Sequence, residues 1–196
     1  MNIPTPSFER AAAAAADRLS LRASRAGLVD VAVGAVDSPL GTLTVGVTPR
    51  GLVRLAYGDE DLVLEDLARR VSPRVLSFPK LVDPVRRQLD RYFAGRLHDF
   101  DLPIDWRLTA PGFTRKVLRA TARIPFGSLR TYAQMASRAG SPRASRAAGN
   151  ALGSNPIPIV VPCHRVVHSG GGLGGYTGGL YRKEHLLTLE GVLEDG

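Results

Sequence analysis

The one cysteine of this 196-residue chain stands in Pro162-Cys163-His164-Arg165, directly before an imidazole and a guanidinium. A thiol is a poor nucleophile until it becomes a thiolate, and its ordinary pKa of about 8.5 must be lowered or a base supplied. His164 is placed to take that proton directly or through a water. A carboxylate must then hold the imidazole in the right tautomer. Glu190, in a helix expected over residues 182–190, is one of the few downstream acids able to do so. A second reading stays open on residue type alone: a lone cysteine behind Ile159-Val160-Val161 is often a buried small hydrophobe. Adjacent residues on a strand face opposite sides, so cooperation between Cys163 and His164 requires a turn. Pro162 and the approach Asn155-Pro156-Ile157-Pro158 supply the irregular backbone for one. A single thiol excludes an intrachain disulfide and a zinc site built on several thiolates, and it fits a reducing compartment such as the cytoplasm. Neither a metal nor a cofactor is expected.

The surface around this motif is basic. From Arg107 to Lys183 there are 12 Lys and Arg and no Asp or Glu, whereas the rest of the chain carries 14 basic and 18 acidic residues. A polyanion such as nucleic acid is the natural partner of that half, because each neutralised phosphate releases condensed counterions. An arginine-rich composition without a partner is the bland alternative. The N-terminal residues 1–26 include an alanine run broken by Glu9, Arg10 and Asp17 and lack the leucine-rich core of a signal peptide. They read as a helical or frayed extension. No apolar run approaches the roughly 18 residues that would span a bilayer.

Two units must position the motif, a small α/β unit followed by a mainly helical one. Residues 29–36, 42–47 and 52–57 are short valine- and leucine-rich runs separated by Asp37-Ser38-Pro39-Leu40-Gly41 and Thr48-Pro49-Arg50-Gly51, which predicts an antiparallel meander. Leu64, Leu67 and Val71 recur at helical spacing, ending near Pro73. A second helix is expected from Pro84, at a favoured first position, through Val85, Leu89, Tyr92 and Phe93 to Gly95. This unit covers residues 27–100, with a linker over 101–112. The remainder, 113–196, reads as mainly helical. Phe113, Val117, Leu118 and Ala122 share one helix face; Thr131 caps a helix over 132–138; Ser141 caps another, with Pro142 at its first position, running to about Leu152. Two short helices joined by a glycine-containing turn match a helix-turn-helix, although paired helices also occur in proteins that bind no DNA. The second is small-sided apart from Arg143, Arg146 and Asn150, so its backbone can approach a nucleic acid closely.

Pro162-Cys163-His164-Arg165-Val166 resembles the active-site signature of the O6-alkylguanine-DNA alkyltransferases, also called methylated-DNA-protein-cysteine methyltransferases. The likeness extends through Ile124-Pro125-Phe126-Gly127, Thr131-Tyr132, Ala139-Gly140-Ser141-Pro142, Ser145-Arg146-Ala147-Ala148-Gly149 and Gly153-Ser154-Asn155-Pro156. It continues through Gly174-Gly175-Tyr176-Thr177-Gly178-Gly179 to Lys183-Glu184-His185-Leu186-Leu187 and Glu190, covering roughly residues 113–192. Asp37-Ser38-Pro39-Leu40-Gly41 and Gly51-Leu52 also resemble the start of the family's N-terminal domain, which implies a ribonuclease-H-like sheet.

The resemblance implies a protein that binds duplex DNA in the minor groove, flips out a guanine alkylated at O6, and moves the alkyl group irreversibly to cysteine. It assigns Cys163 as acceptor, His164 as proton acceptor through a water, Glu190 as the group orienting His164, and Asn155 as the holder of the turn. Arg146 would fill the gap left by the flipped base, with Ala144 and Ser145 beside it at the DNA. Tyr132 would crowd the target phosphate and donate toward guanine N3. Tyr176 and Thr177 would close over the base, while the carbonyls of Cys163 and Val166 would receive its amino group. The implied partner is double-stranded DNA containing O6-alkylguanine, with no membrane and no obligate protein partner, for a monomeric cytoplasmic protein. Departures from the pattern are Leu118 where tryptophan is common, Thr131 where serine is usual, and Ala148 where valine is common. Two other readings remain: a non-catalytic lesion-binding relative, which typically lacks the cysteine, and a cysteine hydrolase using Cys163, His164 and Glu190.

Overall fold

The structure, a computed structural model, describes residues 26–194 throughout. Of the preceding segment it describes only residues 10, 11, 14, 15, 18, 19, 22 and 23, so most of the expected extension lies outside the described residues. Strands β1 (Val31–Val36), β2 (Leu43–Thr48) and β3 (Gly51–Tyr57) form the expected antiparallel meander. Helix α1 (Glu60–Arg70) then crosses over to a strand that the meander reading did not include, β4 (Val75–Ser77), which pairs parallel to β1. The sheet order is β3-β2-β1-β4.

The apolar texture of β1 follows from cover on both faces, as it does for strands buried between helices. Val31 and Val33 pack with Val63 and Leu67 of α1, whereas Val36 joins Val82, Val85, Leu89 and Tyr92 of helix α2 (Pro79–Phe93). That helix starts at Pro79 and not at Pro84, which lies inside it. The apolar face begins a turn earlier than Val85, at the fully buried Val82. Burial of Val82, Val85 and Leu89, worth about 1.5–3 kcal/mol each, together outweighs the roughly 3 kcal/mol that a proline inside a helix costs. Residues 98–111 carry structure of their own. Leu52 N–H donates to the Pro103 carbonyl (2.8 Å), Asp105 N–H donates to the Leu52 carbonyl (2.8 Å), and a 3-10 turn covers Trp106–Leu108. Buried Asp105 accepts from the Thr48 hydroxyl (2.7 Å).

The α2 face also anchors the second half: the cluster containing Leu89 and Tyr92 continues into Val117, Leu118, Ile124, Met135 and Leu186. Helix α3 (Phe113–Thr121) leads to β5 (Arg130–Thr131) and α4 (Tyr132–Arg138). Thr131 caps α4 as expected, in a reciprocal box with Gln134. Ser141 does not cap the next helix. The Ala144 N–H donates to the Ser141 carbonyl (2.9 Å), closing a turn over Pro142 and Arg143, so that α5 runs Ser145–Gly153 with Ala144 at its N-cap. Proline at the second position of such a turn is favoured for the same fixed φ that suits a helix start, which is why the two readings compete. A 3-10 turn (Cys163–Arg165), β6 (Val166–Val167) and α6 (Leu180–Leu189) complete the chain. The short parallel ladder β5–β6 ties the start of α4 to the segment after Cys163. No described helix is long and apolar enough to cross a membrane.

Candidate active site

The apolar run before Cys163 is not a strand. Asn155 folds it: its Oδ1 accepts the Ile157 N–H (3.0 Å), and its Nδ2 donates to the Val161 carbonyl (2.8 Å) and to Cys163 Sγ (3.1 Å). Between these pins the chain makes two γ-turns. The Val160 N–H donates to the Pro158 carbonyl (2.9 Å) around Ile159, whose φ of 70° is strained for a β-branched residue. The Cys163 N–H donates to the Val161 carbonyl (2.8 Å) around Pro162 (φ −79°, ψ 66°), the relaxed γ-turn geometry. Full burial of Ile157, Ile159 and Val161 holds the strained turn in place. Cys163 and His164 thus sit on a 3-10 turn and not on opposite faces of a strand.

Behind the cysteine lies a closed polar cluster. His164 Nε2 is 2.9 Å from Glu190 Oε1; Arg165 grips both Glu190 oxygens, through Nε (2.8 Å) and Nη2 (2.9 Å), and donates from Nη1 to the Ile124 carbonyl (2.5 Å). Tyr92, reaching in from α2, donates to Glu190 Oε1 (2.7 Å), and Gly127 N–H donates to Oε2 (3.3 Å). Burial opposes ionisation of Glu190, but the hydrogen bonds and charges of His164 and Arg165 outweigh it and bring the carboxyl down to about 2. Burial likewise lowers the pKa of His164 against the pull of Glu190, so the imidazole is neutral near pH 7. With Nε2–H committed to Glu190, the Nδ1 lone pair is the open acceptor. Nδ1 is buried and has no partner among the described residues.

The thiol is protonated at rest: burial pushes its pKa up, and the Asn155 amide and the Lys183 charge only partly offset this. Lys183 itself is fully buried. Its Nζ donates to the Val166 carbonyl (2.6 Å) and to the Leu173 carbonyl, and desolvation brings it down to about 8. Tyr92 and Lys183 are the members that sequence reasoning missed. Tyr92 counted there as an apolar helix position, and Lys183 as part of a matching motif without a role. The absence of acids over the 78 residues before Glu184 was the available signal that a buried cation in this stretch would be held by carbonyls.

In front of Cys163 a cavity of about 720 Å³ opens, reached by Tyr132, Ser145, Arg146, Tyr176 and Thr177. Arg146 is exposed on its rim, one helical position beyond Ser145, with Ala144 just before. Tyr132 packs at 5.0 Å from the His168 ring, and burial raises its phenol pKa. Gly174 (φ +72°) passes so close that a Cβ there would lie 2.5 Å from the Tyr132 hydroxyl. The Thr177 hydroxyl donates to the Gly153 carbonyl (2.9 Å), and the Tyr176 and Tyr57 hydroxyls meet at 3.0 Å, which fixes the loop after β6 over the cavity. A Cβ on Gly178 would meet the Tyr57 ring at 2.7 Å. Val166 is fully buried and is not among the residues that line the cavity. Its carbonyl already accepts from Lys183, and the Cys163 carbonyl accepts the Val166 N–H.

Two family models match the chain: the 6-O-methylguanine DNA methyltransferase ribonuclease-like domain over residues 31–106, and its DNA binding domain over residues 112–192. The methylated-DNA–protein-cysteine methyltransferase of Mycolicibacterium paratuberculosis is 44% identical over 79% of this chain and 89% of its own length. The constitutive enzyme of that name from Bacillus subtilis is 35% identical over 80% and 93%. The crystal structure of Mycobacterium tuberculosis OGT in complex with DNA superposes with a TM-score of 0.70 at 38% identity, covering 81% of this chain and 92% of that one. The small ribonuclease-H-like sheet, the helix pair and the buried Cys-His-Glu constellation are therefore those of a member of the methylated-DNA–protein-cysteine methyltransferase family, to which this chain belongs.

Proposed function

We propose that this chain repairs O6-alkylguanine in duplex DNA by moving the alkyl group to Cys163, once per molecule. The observation that carries the reading is the position of Cys163 between a cavity bordered by Tyr132 and Arg146 and the neutral, oriented His164. A guanine O6 substituent is out of reach within the stack, so the base must be extruded. Arg146 on α5 is the side chain placed to fill the gap, with Ala144 and Ser145 small enough for the helix to enter the minor groove.

The thiol proton passes through a water to His164 Nδ1 as Sγ attacks the alkyl carbon. The C–S bond forms, the carbon–O6 bond breaks, and the Tyr132 phenol donates toward guanine N3 so that the base leaves neutral. The proton held on His164 then restores Tyr132, so the net transfer is alkyl to sulfur and thiol proton to guanine. Glu190 stabilises the imidazolium that forms transiently. Asn155 shapes the turn and donates to sulfur as negative charge develops. Tyr176 and Thr177 cover the base, and the family resemblance assigns its amino group to the carbonyls of Cys163 and Val166, the second of which also accepts from Lys183.

A thioether has no return path here, which is why we infer a single turnover. The cysteine argues against the non-catalytic lesion-binding alternative. We also infer a division of the chain into residues 27–100, a linker at 101–112 and the alkyl-acceptor unit 113–196, and a monomer acting in the cytoplasm without an obligate protein partner, a location that suits one free thiol. The test is stoichiometry. With excess duplex carrying one O6-methylguanine, lesion loss should stop when it equals the protein present. Continued turnover contradicts the proposal.

A further inference from the structure

Tyr132 is the least anchored of the groups that the proposed reaction uses. His164, Asn155 and Thr177 are each fixed by hydrogen bonds, whereas the Tyr132 hydroxyl makes none among the described residues. Its proton is therefore free for a ligand, and packing alone must aim it. Glycines form two of the walls around the ring. A Cβ on Gly149 of α5 would lie 3.8 Å from it, and the close pass of Gly174 confines its hydroxyl end. Neither glycine has a side chain to grip with. The third wall is the imidazole of His168, the one ring in contact with Tyr132 among the described residues, at 5.0 Å between centroids and 49° between planes.

The fold sets this ring in place by local means. β5 and β6 pair Thr131 with Val167, so Tyr132 and His168 leave the ladder side by side. His168 then opens a tight turn: its N–H donates to the Gly172 carbonyl (2.8 Å), and its carbonyl accepts the Gly171 N–H (3.1 Å), with Gly171 at φ +85°. Both backbone groups are thereby tied, while the imidazole makes no hydrogen bond of its own among the described residues. His168 is exposed and lines the cavity together with Tyr132, so neither core packing nor a polar partner in the protein accounts for where its ring lies. We infer that His168 is a positioning residue for the alkyl transfer, its ring holding the Tyr132 phenol aimed into the cavity at the leaving guanine. The inference rests on the reading of Tyr132 as the proton donor to guanine N3. Such a donor must come within about 2.6–3.2 Å of its acceptor, and a misplacement of about 1 Å can cost roughly a hundredfold in rate. One missing wall therefore acts on the chemical step and not on DNA affinity.

The test follows single-turnover methyl uptake by the full-length protein from a duplex carrying one O6-methylguanine, over a range of duplex concentrations. His168→Ala should slow the rate at saturation by about three- to tenfold, the equivalent of one aromatic contact. The half-saturating duplex concentration and the unfolding midpoint should stay as they are. His168→Phe, which keeps a ring and gives up both nitrogens, should restore the rate. Tyr132→Phe should slow it by roughly tenfold to a hundredfold, and adding His168→Ala to that variant should cost nothing more, because both changes act through one hydroxyl. Additive losses in the double variant overturn the inference, and so does a His168→Phe variant as slow as His168→Ala. A raised half-saturating concentration with an unchanged saturated rate does so too, by making His168 a DNA contact. Tyr132→Phe at the wild-type rate overturns the donor role of Tyr132 and the inference with it, whereas no methyl uptake by the unaltered protein overturns the repair function itself.

Discussion

The two sides of Cys163 are built on opposite terms. Behind it, one carboxylate is shared by His164, Arg165, Tyr92 and the Gly127 amide, drawn from three separate segments, with all the side chains buried. In front, Arg146 is exposed and the cavity walls carry glycines, small side chains and ring edges. A saturated cluster fixes one protonation state and one orientation, and it contributes to folding as well as to chemistry. An unsaturated face contributes little to folding and leaves its hydrogen bonds for a ligand. Substitutions on the two sides should therefore separate stability from repair.

The largest effect is expected behind the cysteine. Glu190→Gln leaves buried Arg165 without its carboxylate and His164 without its orienter. It should cost about 3–5 kcal/mol in denaturant unfolding and slow methyl transfer by roughly a hundredfold or more. If repair fell while stability held, the cluster would be catalytic only, and the contrast would break. Next comes Arg146→Ala, which should reduce repair by roughly tenfold to a hundredfold, the equivalent of a few kcal/mol of extrusion energy, while leaving the unfolding midpoint and nonspecific DNA binding nearly unchanged. Equal losses in repair and nonspecific affinity would make Arg146 a phosphate contact.

Acid should act on the rear side alone, and the sign follows from two depressed pKa values. His164, buried neutral, contributes fully above its ordinary value of 6.5, and that contribution drains away as pH falls below it. Glu190, brought from 4.5 to about 2, contributes fully above about 4.5 and loses that contribution as pH falls toward 2. Unfolding free energy measured from neutral pH downward should fall through both windows, and Glu190→Gln should shrink the lower one, leaving the share of Asp30, whose carboxyl Arg74 and Ser72 also hold below its ordinary value. The smallest effect tests the join between the halves. Tyr57→Phe removes the hydroxyl contact to Tyr176, worth about 0.5–1.5 kcal/mol, and should slow repair by up to about tenfold without shifting the acid profile.

How far these regions can be read from sequence differs for physical reasons. The rear cluster's chemistry was legible in Cys163, His164 and Glu190 because reactive types are few in an almost acid-free half. Thr131 was legible as a cap because the signal is local. Tyr92 was not, since its hydroxyl meets Glu190 across 98 residues of chain while its ring fits an apolar helix face. Pro84 and Pro142 misled in the same way: proline fixes φ but does not say whether a helix start, a helix interior or a turn will use it. Tertiary packing decided the first, through Val82, and a local turn closed by the Ser141–Ala144 hydrogen bond decided the second. Strand β4, three residues long, exists through its pairing with β1 and has no periodicity of its own to read. Asn155 came from resemblance, and the geometry supplied its physical reason: one side chain pinning two γ-turns beneath the thiol.

The central claim is that both sides of Cys163 converge on its sulfur, and intact-protein mass measured after incubation with a duplex containing one O6-methylguanine tests it most directly. One methyl group should be gained per molecule, map to Cys163 by fragmentation, and vanish in Cys163→Ala. Loss of methyl from the DNA with the protein mass unchanged, or with the label on another residue, would contradict the account.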